Sequence, residues 1–188
     1  MIWRFLIDVP WIVLIAVWVV GALKTRRTES REPISSRIVS LALLILGYSL
    51  VFGNVANFEF LGERFMPRTW LLRTTGVILT WVGIGIAIWA RRHLGAYWSA
   101  RVTIKENHQL IRTGPYARLR HPIYSGLGLA ILGSVLVIDR WAGLLGFLLV
   151  ETAYCIKARR EESMLSAQFG EAFREHCRHT GFLFPKLG

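Results

Sequence analysis

Five runs of apolar residues, at about 9–23, 38–56, 71–90, 122–138 and 141–156, limit what this chain can fold into more than any other feature. A straight helix needs about 20 residues to cross about 30 Å of hydrocarbon. The last two runs are shorter and only Asp139 and Arg140 separate them. That spacing predicts a tight helical hairpin whose second arm continues as a charged extension outside the membrane. No run alternates with period two, which argues against a barrel. The first run lacks the small-residue cleavage site of a signal peptide and reads as a retained span. The expected fold class is therefore all-α, an integral membrane protein with about five transmembrane helices and a C-terminal helical extension.

Charge acquires its meaning from these runs. Lys and Arg total 23 against 12 Asp and Glu, a balance that in a soluble protein would point to nucleic acid. Here five basic residues fall in 24–37, seven in 91–121 and six from 157 onward, whereas Arg4, Arg64, Arg68, Arg73 and Arg140 fall in the alternate segments. This division predicts an external N-terminus and a cytoplasmic C-terminus by the positive-inside rule, and no nucleic-acid partner. Attraction to anionic lipid headgroups is a compatible second effect. Cys155 and Cys177 are too few for a disulfide framework or a cysteine metal site, and no metal is expected.

Two segments on the basic side carry directed polar chemistry. The first, "HLGAYWSARVTIKENHQLIRTGPYARLRHPIYSG", places Tyr97 and Trp98 at the interface, then a Gly114-Pro115 turn, then Arg118, Arg120 and His121 before Pro122. Pro122 suits the first turn of a helix, where a missing N–H costs nothing. His121, Tyr124 and Ser125 then share one turn, and Gly126 and Gly128 leave room for another group to approach the backbone. Topological arginines and interfacial tyrosines would produce a similar string without a site. The second segment starts at Glu151 inside the fifth run, and positions 151, 155, 158 and 162 form a helical stripe. A carboxylate at membrane depth is a candidate functional group by default, with pairing to a nearby arginine as the structural alternative. On periodicity alone, Glu161 and Glu162 read as a solvated face balancing Lys157, Arg159 and Arg160.

The strings "LGAYWS", "HQLIRTGPYARLRHPIYSG", "EESMLSAQFGEAFREH" and "TGFLFP", in this order over about the last 95 residues, resemble the isoprenylcysteine carboxyl methyltransferase family and its phospholipid methyltransferase relatives. The resemblance implies a membrane-embedded methyltransferase using S-adenosyl-L-methionine, in which 1–70 is an N-terminal two-span region and 71–188 a single catalytic region. It implies a cofactor pocket built from Tyr116, Arg120, His121, Pro122, Tyr124, Gly126, Glu161 and Glu162, in a short prokaryotic protein whose site faces the cytoplasm. No strand, glycine-rich turn and helix follow one another as in a soluble nucleotide fold, which is consistent with this. A sulfonium cofactor with a carboxylate and an ammonium calls for a basic donor, a carboxylate and aromatic walls, and these residues provide all three.

The expected acceptor is a membrane lipid or a lipidated or apolar molecule, with a carboxylate first and an amine as the alternative. An ionised carboxylate needs no base, whereas an amine must lose a proton, to His121, Tyr124 or Glu151. Relatives commonly carry a basic residue just before the final proline; this chain has Phe182 there. Arg178 and His179 are the expected replacements, and with Glu151 they complete the catalytic expectation. A sterol-reductase-like protein using NADPH and a non-enzymatic transporter or scaffold are the remaining alternatives. The first is normally much longer, and the second predicts charged or broken helices across the membrane.

Overall fold

The computed structural model describes residues 2–22, 28–31, 34–53, 59–95, 98, 103–105 and 110–186. Among them are seven α-helices: α1 (Ile2–Ala22), α2 (Ile34–Phe52), α3 (Glu59–Gly62), α4 (Trp70–Leu94), α5 (Pro122–Ile138), α6 (Trp141–Phe169) and α7 (Glu171–His179). A 3-10 turn spans Gly114–Ala117. The basic residues Lys24, Arg26, Arg27 and Arg101, and the interfacial Tyr97, lie outside the described residues.

Three helices, α1, α4 and α6, are long and apolar enough to cross a membrane, while α5 and residues 37–52 of α2 are apolar but shorter. Helices α1, α4 and α6 exceed their apolar runs because polar residues at their ends are helical too. Thus α4 continues through Arg91, Arg92 and His93 to a left-handed Gly95, where basic side chains meet the negative end of the helix dipole. The hairpin between α5 and α6 is as the spacing predicts. Asp139 adopts φ 59° and closes α5, and its carboxylate accepts a hydrogen bond from the Met66 N–H at 3.1 Å.

Small residues determine which helices touch. Gly76, Gly83 and Ala87 of α4 meet Gly133, Ala130 and Gly126 of α5 backbone to backbone, so the two run antiparallel in close contact. In the same way Gly47 of α2 meets Gly146 and Val150 of α6. The first helix lies beside α4 in the parallel sense, with Trp81 Nε1 donating to Leu6 O at 3.0 Å and Gly21 against Arg91. Large apolar side chains such as Ile12, Ile15, Trp89 and Leu148 are left exposed on the outer surface, as a lipid-facing surface requires.

One feature departs from the all-α expectation. Strand β1 (Thr28–Arg31), after α1, pairs antiparallel with β2 (Thr103–Lys105), after α4. At four and three residues these strands are too short to show a period-two pattern in the sequence. Their pairing ties two basic connectors together at one end of the bundle, the end where α5 begins and α4 finishes. At the other end Trp141 N–H donates to Glu63 O at 3.2 Å and Arg4 to Phe52 O at 3.1 Å.

Candidate active site

The segment entering α5 is held from both sides. Gly114, at φ 58°, opens the 3-10 turn, which buries Tyr116. Residues 118–121 then run alongside the C-terminal segment: Gly181 N–H donates to Arg118 O, Arg120 N–H to Gly181 O and His121 N–H to Phe182 O. The Ser125 hydroxyl also reaches Leu183 O, at 2.6 Å. The N-cap N–H of His121, which has no intrahelical partner, is thereby satisfied, and the C-terminal segment becomes a wall of the site.

Against that wall the second motif delivers its carboxylates. Arg120 Nε pairs with Glu162 Oε1 at 2.5 Å and Arg120 Nη1 donates to Thr180 O at 2.6 Å. His121, 4% exposed, places Nε2 3.2 Å from Glu162 Oε1 and Nδ1 3.8 Å from Glu161 Oε2. The Tyr124 hydroxyl donates to Glu161 at 3.3 Å. Glu162 lies on the charged continuation of α6, beyond its apolar stretch. Burial works to raise its carboxyl, but hydrogen bonds from His121 and Arg120 outweigh this and hold it below the ordinary carboxylate range. Burial chiefly, with the neighbouring Glu161 charge, pushes the Tyr116 phenol upward, while Arg91 acts in the opposite direction.

A ladder of rings descends from this cluster into the bundle. His121 stacks on Tyr124 at 5.7 Å and Tyr124 on Tyr154 at 5.1 Å. The Tyr154 hydroxyl meets that of Tyr48 at 2.7 Å. Glu151 lies about one turn below Tyr154, its carboxylate against the bare Cα of Gly128, and its buried Oε1 has no hydrogen-bond partner. The rings of Tyr48 and Tyr154 were not among the sequence expectations. Tyr154 was legible in principle, since it falls between 151 and 158 on the same helical stripe.

Several expected site residues are placed differently. Gly126 faces Ala87 and Gly83, so its missing side chain serves the α4–α5 seam instead of a ligand. Pro122 is the buried first residue of α5 and shapes the helix start. Arg178 and His179 do not join the cluster. Arg178 pairs with Glu175 and Glu171 of its own helix, His179 pairs with Glu175, and both point to solvent because α7 presents that face outward. The place they were to cover is taken by Phe182, whose ring packs edge-on to His121 at 5.2 Å and under the Arg120 guanidinium at 5.6 Å. No group of three His, Cys, Asp or Glu able to hold a metal ion occurs among the described residues.

Residues 71–172 match the phospholipid methyltransferase family. The chain belongs to that family. It is 38% identical over 66 residues to the uncharacterized protein YpbQ of Bacillus subtilis, covering 35% of this chain and 38% of that protein. The nickel-cobalt-cadmium resistance protein NccN of Alcaligenes xylosoxydans is 32% identical over 131 residues, covering 67% of this chain and 57% of NccN. The cobalt-zinc-cadmium resistance protein CzcN of Cupriavidus metallidurans is 33% identical over 133 residues, 67% of this chain and 56% of CzcN. The chain thus spans between about a third and a little over half of the length of these curated relatives. Among solved structures, the eukaryotic intramembrane Ras methyltransferase, isoprenylcysteine carboxyl methyltransferase, superposes with a TM-score of 0.52 at 19% identity, over 84% of this chain and 55% of that one. The chain therefore shares the fold of that structure over the superposed part.

Proposed function

We propose that this chain is an integral-membrane methyltransferase that takes its methyl group from S-adenosyl-L-methionine and delivers it to a nucleophile on a lipidic or apolar molecule. The single observation that carries the reading is the half-buried cluster of Arg120, His121, Glu161 and Glu162, closed by the C-terminal segment at one end of an apolar bundle. Its chemistry suits the cofactor: carboxylates for the ammonium and ribose hydroxyls, and stacked rings beside a sulfonium. When bound, the cofactor supplies an electrophilic methyl group. The residues of the chain contribute position, a low-dielectric surrounding and a place for a proton. Five membrane passages with the cluster on the cytoplasmic side are part of the proposal. They agree with the division of Lys and Arg and with the β1–β2 pairing of two basic connectors.

For the acceptor, Glu151 favours an amine over a carboxylate. A buried carboxyl oxygen without a partner, below the ring ladder, offers an anionic acceptor no positive charge and has a lone pair for the proton that an amine sheds before or as its nitrogen attacks. For the carboxylate first expected, Arg178 and His179 are the replacements for the basic residue missing at Phe182, and both face solvent. Calorimetric titration of purified protein with S-adenosyl-L-methionine and with NADPH tests the reading: binding of the first and not the second is expected, and the converse would overturn it. Glu151→Gln should lower methyl transfer from labelled cofactor to lipid amines at least about tenfold, the usual scale of a lost general base being 10²–10⁴, while cofactor affinity stays within about twofold. Equal turnover in that variant would return the choice to a carboxylate.

A further inference from the structure

The end of the bundle opposite the cluster has more positive charge than it pairs. Of its five arginines, Arg4 is taken up by Asp8 and by Phe52 O. The other four are gathered by hydrogen bonds from main-chain N–H groups. Met66 N–H donates to the Asp139 carboxylate at 3.1 Å, which lays the connector bearing Arg64 and Arg68 against the hairpin bearing Arg140. Trp141 N–H donates to Glu63 O at 3.2 Å, beside Arg64, and Arg73 N–H to Thr69 O at 3.3 Å, in the first turn of α4.

None of these four has a carboxylate partner among the described residues. Arg73 lies over the Trp3 ring at 6.0 Å, and its buried Nε has no hydrogen-bond partner. Buried Asp139 turns one oxygen to the Met66 N–H and leaves the other without a partner. Glu63, in the same connector, is exposed and pairs with none of them. Arg68, which precedes the α4 span, is pushed below its ordinary value by slight burial and then by the charges of Arg64, Arg73 and Arg140, while Asp139 acts in the opposite direction. Like charges within range of one another and without partners create a positive potential that an anion relieves.

The surroundings say which anion. Between Arg68 and Arg73, Trp70 and Leu71 are each 70% exposed, and Phe60, stacked on Trp141 at 5.2 Å, is exposed as well. Exposed tryptophan beside arginine belongs at the level of lipid headgroups. From there the exposed side chains Leu71, Ile78, Val82 and Trp89 follow one face of α4 at helical spacing. A soluble phosphate has no use for that stripe, whereas an acyl chain lies along it. We propose that Arg64, Arg68, Arg73 and Arg140 bind the phosphate of an anionic phospholipid whose acyl chain packs on the Leu71-to-Trp89 face of α4. Guanidinium groups present forked donors that match phosphate oxygens. The site is remote from the cluster and does not depend on the methyltransferase reading.

Three full-length proteins in detergent decide the matter. Beside wild type, Arg64→Gln/Arg68→Gln/Arg140→Gln strips the site but keeps Arg73 and Asp139, and Arg92→Gln/Arg118→Gln/Arg159→Gln removes the same charge from exposed positions at the other end. Each is titrated with phosphatidylglycerol, phosphatidylcholine and glycerol 3-phosphate, and the ligand held per protein is read by native mass spectrometry. Wild type should hold phosphatidylglycerol more tightly than either of the others. The first variant should lose about a hundredfold in phosphatidylglycerol affinity, the scale of three basic residues at an anionic lipid surface, while the second keeps the tightest site. If the first variant melts earlier than wild type, Arg68→Gln alone, at an exposed position, should still lose about fivefold. Unchanged binding in the first variant, or in Arg68→Gln where the triple is unstable, would overturn the proposal. Equal losses in both triple variants would reduce the effect to net charge, and glycerol 3-phosphate bound as tightly as the lipid would make this a site for a soluble anion; either result overturns it too.

Discussion

The molecule contains two clusters of one arginine, one histidine and one glutamate. Arg120, His121 and Glu162 join the start of α5 to the continuation of α6, across about forty residues of sequence, and the arginine and glutamate side chains are 15% and 22% exposed. Arg178, His179 and Glu175 lie within one turn of α7, with the arginine and glutamate 64% and 45% exposed. The ionic groups are the same and their consequences differ. The first cluster is desolvated, is backed by the carbonyl of Thr180 and the ring of Phe182, and connects three separate segments. The second balances charge on one solvated helix, where double-mutant measurements of such pairs give little. Burial and long-range pairing, more than residue type, distinguish a site from a surface.

The largest difference should appear on removing each arginine. Arg120→Ala leaves the Glu162 carboxylate with one partner fewer and the Thr180 carbonyl without its donor, which should cost about 2–4 kcal/mol of stability. It should also weaken S-adenosylmethionine binding by tenfold or more. Thermal unfolding in detergent and calorimetry measure the two effects. A variant that melts with wild type would show that the cluster is as solvated as the one on α7.

A smaller, sharper contrast concerns acid and salt. Glu162 is held below the ordinary carboxylate range against the effect of burial. Solvated Glu175 is also lowered, by hydrogen bonds from His179 and Arg178. A depressed carboxyl contributes stability that is complete above its ordinary value, near 4.5, and is lost as pH falls through the lower folded value. In about 1 M salt the screening length shrinks to about 3 Å. Carbon-13 titration of labelled glutamates should then show Glu175 moving back toward its ordinary value while Glu162 stays depressed. Parallel movement of both would remove the distinction.

Much of the fold was legible because apolar length and charge sidedness are local properties of a string. The helical hairpin at Asp139 and the stripe joining Glu151 to Glu162 follow from spacing alone. The cluster itself was legible in outline, because arginine, histidine and tyrosine immediately before an apolar run are unusual enough to stand out. What failed was anything decided by a neighbour from elsewhere in the chain. Gly126 leaves room for another group to approach the backbone, and only the fold shows that the group is the Gly83–Ala87 backbone of α4. Arg91 looked like one more cytoplasmic cation, because nothing in the local sequence shows that Trp98 and Gly21 bury it. Arg178 and His179 are near Phe182 in sequence, but helical rotation turns them away from it.

The smallest expected effect is therefore the most direct check on the comparison. Arg178→Ala removes the ion pairs with Glu171 and Glu175, but both carboxylates remain solvated, and Glu171 keeps Arg174 at 2.7 Å while Glu175 keeps His179 at 2.7 Å. Cofactor affinity and turnover should each stay within about twofold of wild type, because an exposed pair of this kind contributes little. One contact gives the variant a chance to fail. Lys186 donates to the backbone carbonyl of Arg178 at 2.6 Å, so the C-terminal segment that walls the site is tied to α7 through this residue. That bond uses the main chain and survives the substitution, provided that the last turn of α7 stays helical. Methyl transfer measured over a panel of lipid amines and apolar carboxylates separates the cases. A loss of turnover for carboxylates alone would restore Arg178 as an anion clamp. An equal loss for every acceptor, together with weaker cofactor binding, would show instead that the α7 pairs hold the wall in place, and that the exposed cluster supports the buried one.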